Sequence, residues 1–206
     1  MKCLRRILGI GVAVFLLFWL VIHPARPNEP SYRGRTLTDW LQTDENGKRL
    51  GPTSQHYYLI VTNSMVAIQA IGTNGIPTLL KLIQAHDSKP KIVLLSWLAH
   101  QRWLHTRVLP DWEKHNMGIR GLRILGTNAA SAVPALIQLT HDGNGDVRFD
   151  AGYGLFVLLE ECFRHDRDVC LPILLSLSND SDSGMQFSAA NTMAIWFPEE
   201  AEKAGV

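Results

Sequence analysis

Apolar positions along the chain fall into three patterns, and each predicts a different element. The first is an uninterrupted, charge-free run from Ile7 to Ile22. The second is a short stripe in which Leu37, Trp40 and Leu41 stand at i, i+3 and i+4. It predicts a helix over 36–42, with Thr36 and Asp39 in capping-box-like positions at its start. The third is helical periodicity that recurs from residue 61 to the end. It is clearest in Val147, Ala151, Leu155, Leu158 and Cys162, at i, i+4, i+8, i+11 and i+15, the spacing of one buried helix face.

The third pattern repeats itself. Ile76-Pro77-Thr78-Leu79-Leu80, Val133-Pro134-Ala135-Leu136-Ile137 and Leu171-Pro172-Ile173-Leu174-Leu175 each place a proline between apolar residues at a helix start. A proline is suited to the first helical turn because its missing N–H has no partner there in any case. Pro134 and Pro172 stand 38 residues apart, and the same offset pairs Asp142 with Asp180, Val147 with Met185, and Ala151 with Ala189. Pro77 and Pro134 are 57 apart, so the first interval holds an insertion, read as an amphipathic helix over roughly 91–105. Gly72-Thr73-Asn74 and Gly126-Thr127-Asn128 each stop an apolar helix, with glycine suited to a left-handed C-terminal position. Ala151, Gly152 and Gly154 permit close helix packing, although the glycines lower intrinsic helicity.

These residues resemble HEAT repeats, in particular the short bacterial HEAT-like units of phycobilisome-lyase type. Ser131–Ile137 followed by Asp146-Val147-Arg148-Phe149-Asp150-Ala151 carries the likeness. The resemblance implies an all-α, right-handed α-α superhelix, a HEAT-like solenoid, over residues 61–206. It also implies a structural ladder in which Asp146 and Arg148 tie neighbouring units together. The last unit departs from that pattern, with Gly184 and Gln186 at the matching positions. Phe197-Pro198 and the acids after it look like a short terminal capping helix.

The N-terminal run changes the picture of where such a domain works. Lys2, Arg5 and Arg6 form a basic n-region over 1–6. Sixteen helical residues reach roughly 24 Å, enough to span a bilayer with snorkelling arginines. The expectation is a transmembrane anchor over 7–23, with a cleaved signal peptide as the alternative; no small-residue cleavage site follows Ile22. The positive-inside rule places the remainder in the periplasm or outside the cell, a reading that Arg26, Arg33 and Arg35 weaken. Residues 24–60, rich in Pro and Gly, read as a linker interrupted by the helix at 36–42.

Composition adds little to the fold but narrows the chemistry. Formal charge is +1 over 206 residues, yet residues 141–206 hold four basic against twelve acidic side chains. Residues 87–125 hold seven basic against three acidic ones. An acidic repeat domain argues against nucleic acid, which requires phosphate neutralisation. Cys3, Cys162 and Cys170 have no metal-site spacing. Cys162 and Cys170 leave open either a bridge or, as expected of free thiols, separate burial. Asp142-Gly143-Asn144-Gly145-Asp146 opens like a calcium loop but has Val147 and Tyr153 where Gly and Glu are required, so it reads as a turn. His100, His105 and His115 lie among Trp97, Trp103 and Trp112 without the spacing of a metal pair. No cofactor fingerprint or nucleophile motif occurs.

The chain therefore reads as a non-catalytic protein-binding scaffold at a membrane. Trp97, Arg102, Trp103 and Arg107 are its candidate partner anchors, since aromatic and arginine side chains dominate interface hot spots. Two alternatives stand beside it. The repeat resemblance implies a lyase-like or chaperone role for a tetrapyrrole protein, and exposed terminal repeats suggest a self-associating adaptor.

Overall fold

The computed structural model describes residues 29–42, 62–87, 93 and 109–205. The n-region, the anchor expected over 7–23, the rest of the linker, and all but Val93 of the helix expected over 91–105 lie outside the described residues. Pro30–His86 and Pro110–Val206 form one compact unit. A second unit, Met1–Glu29 with Asp87–Leu109, is described only at Glu29, Asp87, Val93 and Leu109. Structure within the described residues is overwhelmingly α-helical, as the third periodicity predicts.

The compact unit opens with a small hairpin. Strands β1 (Ser31–Tyr32) and β2 (Arg35–Thr36) pair antiparallel, and their turn residues Arg33 and Gly34 both take positive φ, as tight two-residue hairpins require. Helix α1 (Leu37–Leu41) follows, its first turn closed by the Thr36 hydroxyl, which accepts from the Asp39 N–H at 3.2 Å. Leu37 and Leu41 are buried. Trp40 stays at the edge, donating from Nε1 to the Tyr32 carbonyl at 3.1 Å, with the Arg35 guanidinium 4.0 Å over its ring. The Arg120 guanidinium bonds the Leu41 carbonyl, and α1 packs on the first helix of the repeat region.

That region runs α2 (Thr62–Ile71), α3 (Ile76–Ile83), α4 (Asp111–Leu125), α5 (Val133–Leu139), α6 (Gly145–Leu158), α7 (Arg167–Leu177), α8 (Ser183–Trp196) and α9 (Pro198–Ala204). The two Gly-Thr-Asn segments both become 3-10 turns, Gly72–Gly75 and Gly126–Ala132. Their leading glycines sit at φ +62° and +60°. Gly126 has ψ −133°, outside the left-handed helical region, in territory that essentially only glycine enters. Pro77 and Pro134 each occupy the opening turn of the next helix, α3 and α5.

The third proline departs from its expected position. Pro172 lies inside α7, because Asp166 caps that helix earlier by accepting from the Val169 N–H at 3.2 Å. The preceding connection is also different: α6 continues into a π-helical turn, Leu159–Phe163, in place of a 3-10 turn.

Core packing follows the predicted stripes except at Cys162, which is half-buried in the π-helical turn where Leu159 and Phe163 are buried. Leu79 and Ile83 of α3, Met117 and Leu122 of α4, Leu136 of α5, Val147, Ala151, Leu155 and Leu158 of α6, and Leu174 of α7 are all essentially removed from solvent. α3 lies tightly against α4, where a Cβ on Gly118 would stand 2.6 Å from the Leu79 carbonyl oxygen. α4 in turn packs on α6, α5 on α6, and α7 on α8. One helical stretch among the described residues, Ser64–Ile83, is apolar and long enough to cross a membrane. It comprises α2 and α3 on either side of the Gly72 turn, and it buries Ala67, Ile68, Leu79 and Ile83 in this core.

The 38-residue offset is physical as well as sequential. α6 and α8 have the same length, with bounds 38 apart at both ends. Asn144 accepts from the Asp146 and Val147 N–H groups, and Asp182 accepts from Gly184 and Met185. One turn earlier, Asp142 Oδ1 accepts from the Asn144 N–H and Asp180 Oδ1 from the Asp182 N–H, both at 2.8 Å. Before these, the buried hydroxyls of Thr140 and Ser178 donate to Ile137 and Leu175. The two hairpins are thus built by one local code.

A candidate docking groove between α6 and α8

Helices α6 and α8 are apolar on two faces, which a surface helix ordinarily is not. Their inner faces supply Val147, Ala151 and Leu155 from α6 and Met185, Ala189 and Met193 from α8. On the outer side, Phe149 is 70% and Phe187 74% exposed, with Tyr153 at 51% and Ile195 at 63%. Phe149 and Phe187 are themselves 38 residues apart, so the same repeat position shows phenylalanine to solvent twice. Burying one phenylalanine side chain is worth about 1.5–3 kcal/mol.

Between these helices runs a groove of about 350 Å³ lined on one side by Phe149, Tyr153, Phe156 and Glu160 and on the other by Phe187, Ser188, Asn191, Thr192 and Trp196. Met185 also reaches it. Phe149, Tyr153 and Phe156 of α6 and Glu160 of the π-helical turn that continues it stand at i, i+4, i+7 and i+11. Gly152 leaves room for the Met185 methyl, which lets α8 approach α6 at that point. Trp196 closes one end with the Arg164 guanidinium 5.7 Å from its ring centroid. Helix α8 contributes no charged side chain anywhere along its length, so its share of the groove is neutral.

Behind the groove, α6 is held by a buried polar link. His115 of α4 is 2% exposed; its Nδ1 lies 2.5 Å from Asp150 Oδ2 and its Nε2 2.6 Å from the Ala85 carbonyl. Both ring nitrogens of His115 thus face oxygen atoms, one on each side of the ring. One side chain thereby joins the end of α3, helix α4 and helix α6. A second cross-unit link, His141 Nε2 to Asp180 Oδ2 at 3.1 Å, joins the turns after α5 and α7.

The residues singled out in the sequence distribute unevenly around this groove. Trp97, Arg102, Trp103 and Arg107 lie outside the described residues, as do His100 and His105. Arg148 turns back on its own loop, donating to the Asp142 and Gly143 carbonyls at 2.8 and 3.3 Å, and Asp146 is exposed at the first turn of α6. Side-chain ties between units among the described residues include His115–Asp150, His141–Asp180 and Arg123–Glu161. In the calcium-loop-like segment the Asp142 and Asn144 side chains are occupied by backbone N–H groups. Among the described residues no group of His, Cys, Asp or Glu is placed to hold a metal.

Both described cysteines are free thiols. Cys170 is buried and donates to the Phe163 carbonyl at 2.9 Å. Burial, then the nearby Asp166 carboxylate, push its pKa up to about 11. Cys162 is half-buried and also raised, first by burial and then by Glu161, against the lowering effect of Arg123. Neither environment favours the reactive thiolate.

The buried stripe of α6 does not by itself reveal the groove, whose residues lie on the other apolar face of the helix. Two signals in the sequence point to it: the Phe149–Phe187 pair at the repeat offset, and an entire 14-residue helix without a charge. Comparison with protein-family models, with curated proteins and with solved structures finds no match.

Proposed function

We propose that this chain is a non-catalytic protein-binding module, a HEAT-like α solenoid held at a membrane by an anchor over 7–23, with its repeats on the periplasmic or outer side. The observation that carries the binding reading is the aromatic groove between α6 and α8, with Phe149 and Phe187 exposed at equivalent repeat positions. Stacked helical repeats offer such grooves along one surface. The solenoid reading is supported by the recurrence of caps, hydroxyl bonds and helix bounds at 38 residues. The anchor reading rests on the charge-free run Ile7–Ile22 behind Lys2, Arg5 and Arg6.

The test is affinity capture with the full chain from solubilised membranes of its host, in parallel with a Phe149→Ser/Phe187→Ser variant. A protein retained by the first and lost from the second supports the reading. Retention of the same set by both, or of none, removes it. Alkaline extraction of membranes tests the anchor separately: the full chain stays with the lipid, and a chain lacking residues 1–23 is released.

A further inference from the structure

Resting on that binding reading, we infer that the α6–α8 groove takes an amphipathic helix that is apolar on one face and basic on its flanks. Shape comes first. The groove is walled by two helices along their length, with Phe149, Tyr153 and Phe156 in a row on one and Phe187 and Trp196 on the other. A channel of that kind accepts a third helix, which presents anchors at i, i+3, i+4 and i+7. An extended strand has no partner here, because both walls have their backbone groups satisfied within helices.

Charge decides the flanks. Residues 141–206 carry twelve acidic and four basic side chains. Of the basic ones, Arg148 is tied to its own turn, Arg167 is paired with Glu200, Arg164 lies over Trp196, and Lys203 belongs to α9. Glu160 lines the groove, and exposed Asp146 and Asp182 stand at the first turn of α6 and the cap of α8. The floor is thus neutral and the surroundings acidic. Positive flanks are attracted to such a rim, while an anionic lipid surface or a nucleic acid is repelled by it.

The test uses the purified full chain and three labelled synthetic 18-residue peptides, with binding read by fluorescence anisotropy. One has Leu and Phe at i, i+3, i+4 and i+7 and Lys elsewhere. The second replaces every Lys by Glu, and the third replaces every Leu and Phe by Ser. The Lys-rich amphipathic peptide should bind at least tenfold more tightly than either of the others. That binding should weaken at least tenfold in Phe149→Ser/Phe187→Ser, about threefold in Asp146→Asn/Glu160→Gln, and further as salt is raised. Circular dichroism checks that the variants retain their helices.

Equal binding of the Glu-rich peptide would overturn the charge assignment. Undiminished binding by the double Phe variant would show that the basic peptide is held elsewhere. Binding of phosphatidylglycerol vesicles that is lost with both phenylalanines, or dimerisation of the chain lost in the same variant, would replace the helix with lipid or with a second copy. If no peptide binds while host-protein capture still depends on Phe149 and Phe187, the helix proposal fails and the binding module stands; if capture fails as well, both fall.

Discussion

The seam between α3 and α4 and the groove between α6 and α8 are both helix-pair contacts that depend on glycine, yet they do opposite things. At the seam, Gly118 lets α4 meet backbone: a Cβ there would stand 2.6 Å from both the Leu79 oxygen and the Ile83 side chain. In the groove, Gly152 chiefly faces the Met185 methyl and sulfur, the far end of a flexible side chain, with the Thr140 methyl farther off at 3.9 Å. The first contact is closed by backbone; the second is bridged by a flexible side chain and leaves its outer aromatic rows open to solvent. Where backbone meets backbone there is no room for a ligand, and where a methionine fills the gap the walls beyond it remain available.

The strongest way to break this comparison is to cut the link that holds the groove's inner wall to the seam. His115→Leu leaves the Asp150 carboxylate and the Ala85 carbonyl without their imidazole partner. A loss of about 3 kcal/mol in urea unfolding is expected when the buried partner of this part-buried pair is removed and two acceptors lose their contact. A change under about 1 kcal/mol would mean that His115 is not the tie between α4 and α6.

The same substitution at the two glycines sharpens the contrast. Gly118→Ala should cost about 2 kcal/mol, because backbone has to move and this outweighs the roughly 1 kcal/mol gain in helix propensity. Gly152→Ala should stay within about 1 kcal/mol of the parent, since Met185 can change rotamer. Equal effects in thermal or urea unfolding would deny that the seam and the groove differ in how readily they yield. The smallest expected effect is on stability in Phe149→Ser/Phe187→Ser, within about 0.5 kcal/mol because both rings are mainly in water. A large loss there would make the two rings part of the core and the groove an artefact of packing.

The hairpin architecture was legible wherever a local rule acts alone. The Gly-Thr-Asn turns, the cap at Thr36, and the stripe through Val147, Ala151, Leu155 and Leu158 each depend on residues within a few positions of one another. Pro172 shows the limit of such rules. Its sequence context matches Pro77 and Pro134, but Asp166 caps the helix ahead of it, so of two competing local signals the cap sets the helix start. The groove was half legible: Phe149 and Phe187 recur at the repeat offset, but a periodic aromatic row reads equally well as core.

By itself the sequence determined the helical class, the 38-residue register, the turn chemistry and the acidic character of the C-terminal third, because these follow from backbone preferences, periodicity and charge counts. Only the tertiary structure decided that the second, aromatic face of α6 and α8 stays in solvent, and that Arg148 serves its own turn. It alone brought His115 to Asp150 across 35 positions of sequence. Those outcomes depend on which helices become neighbours, and contact between distant segments is a property of the packed chain that no local pattern encodes.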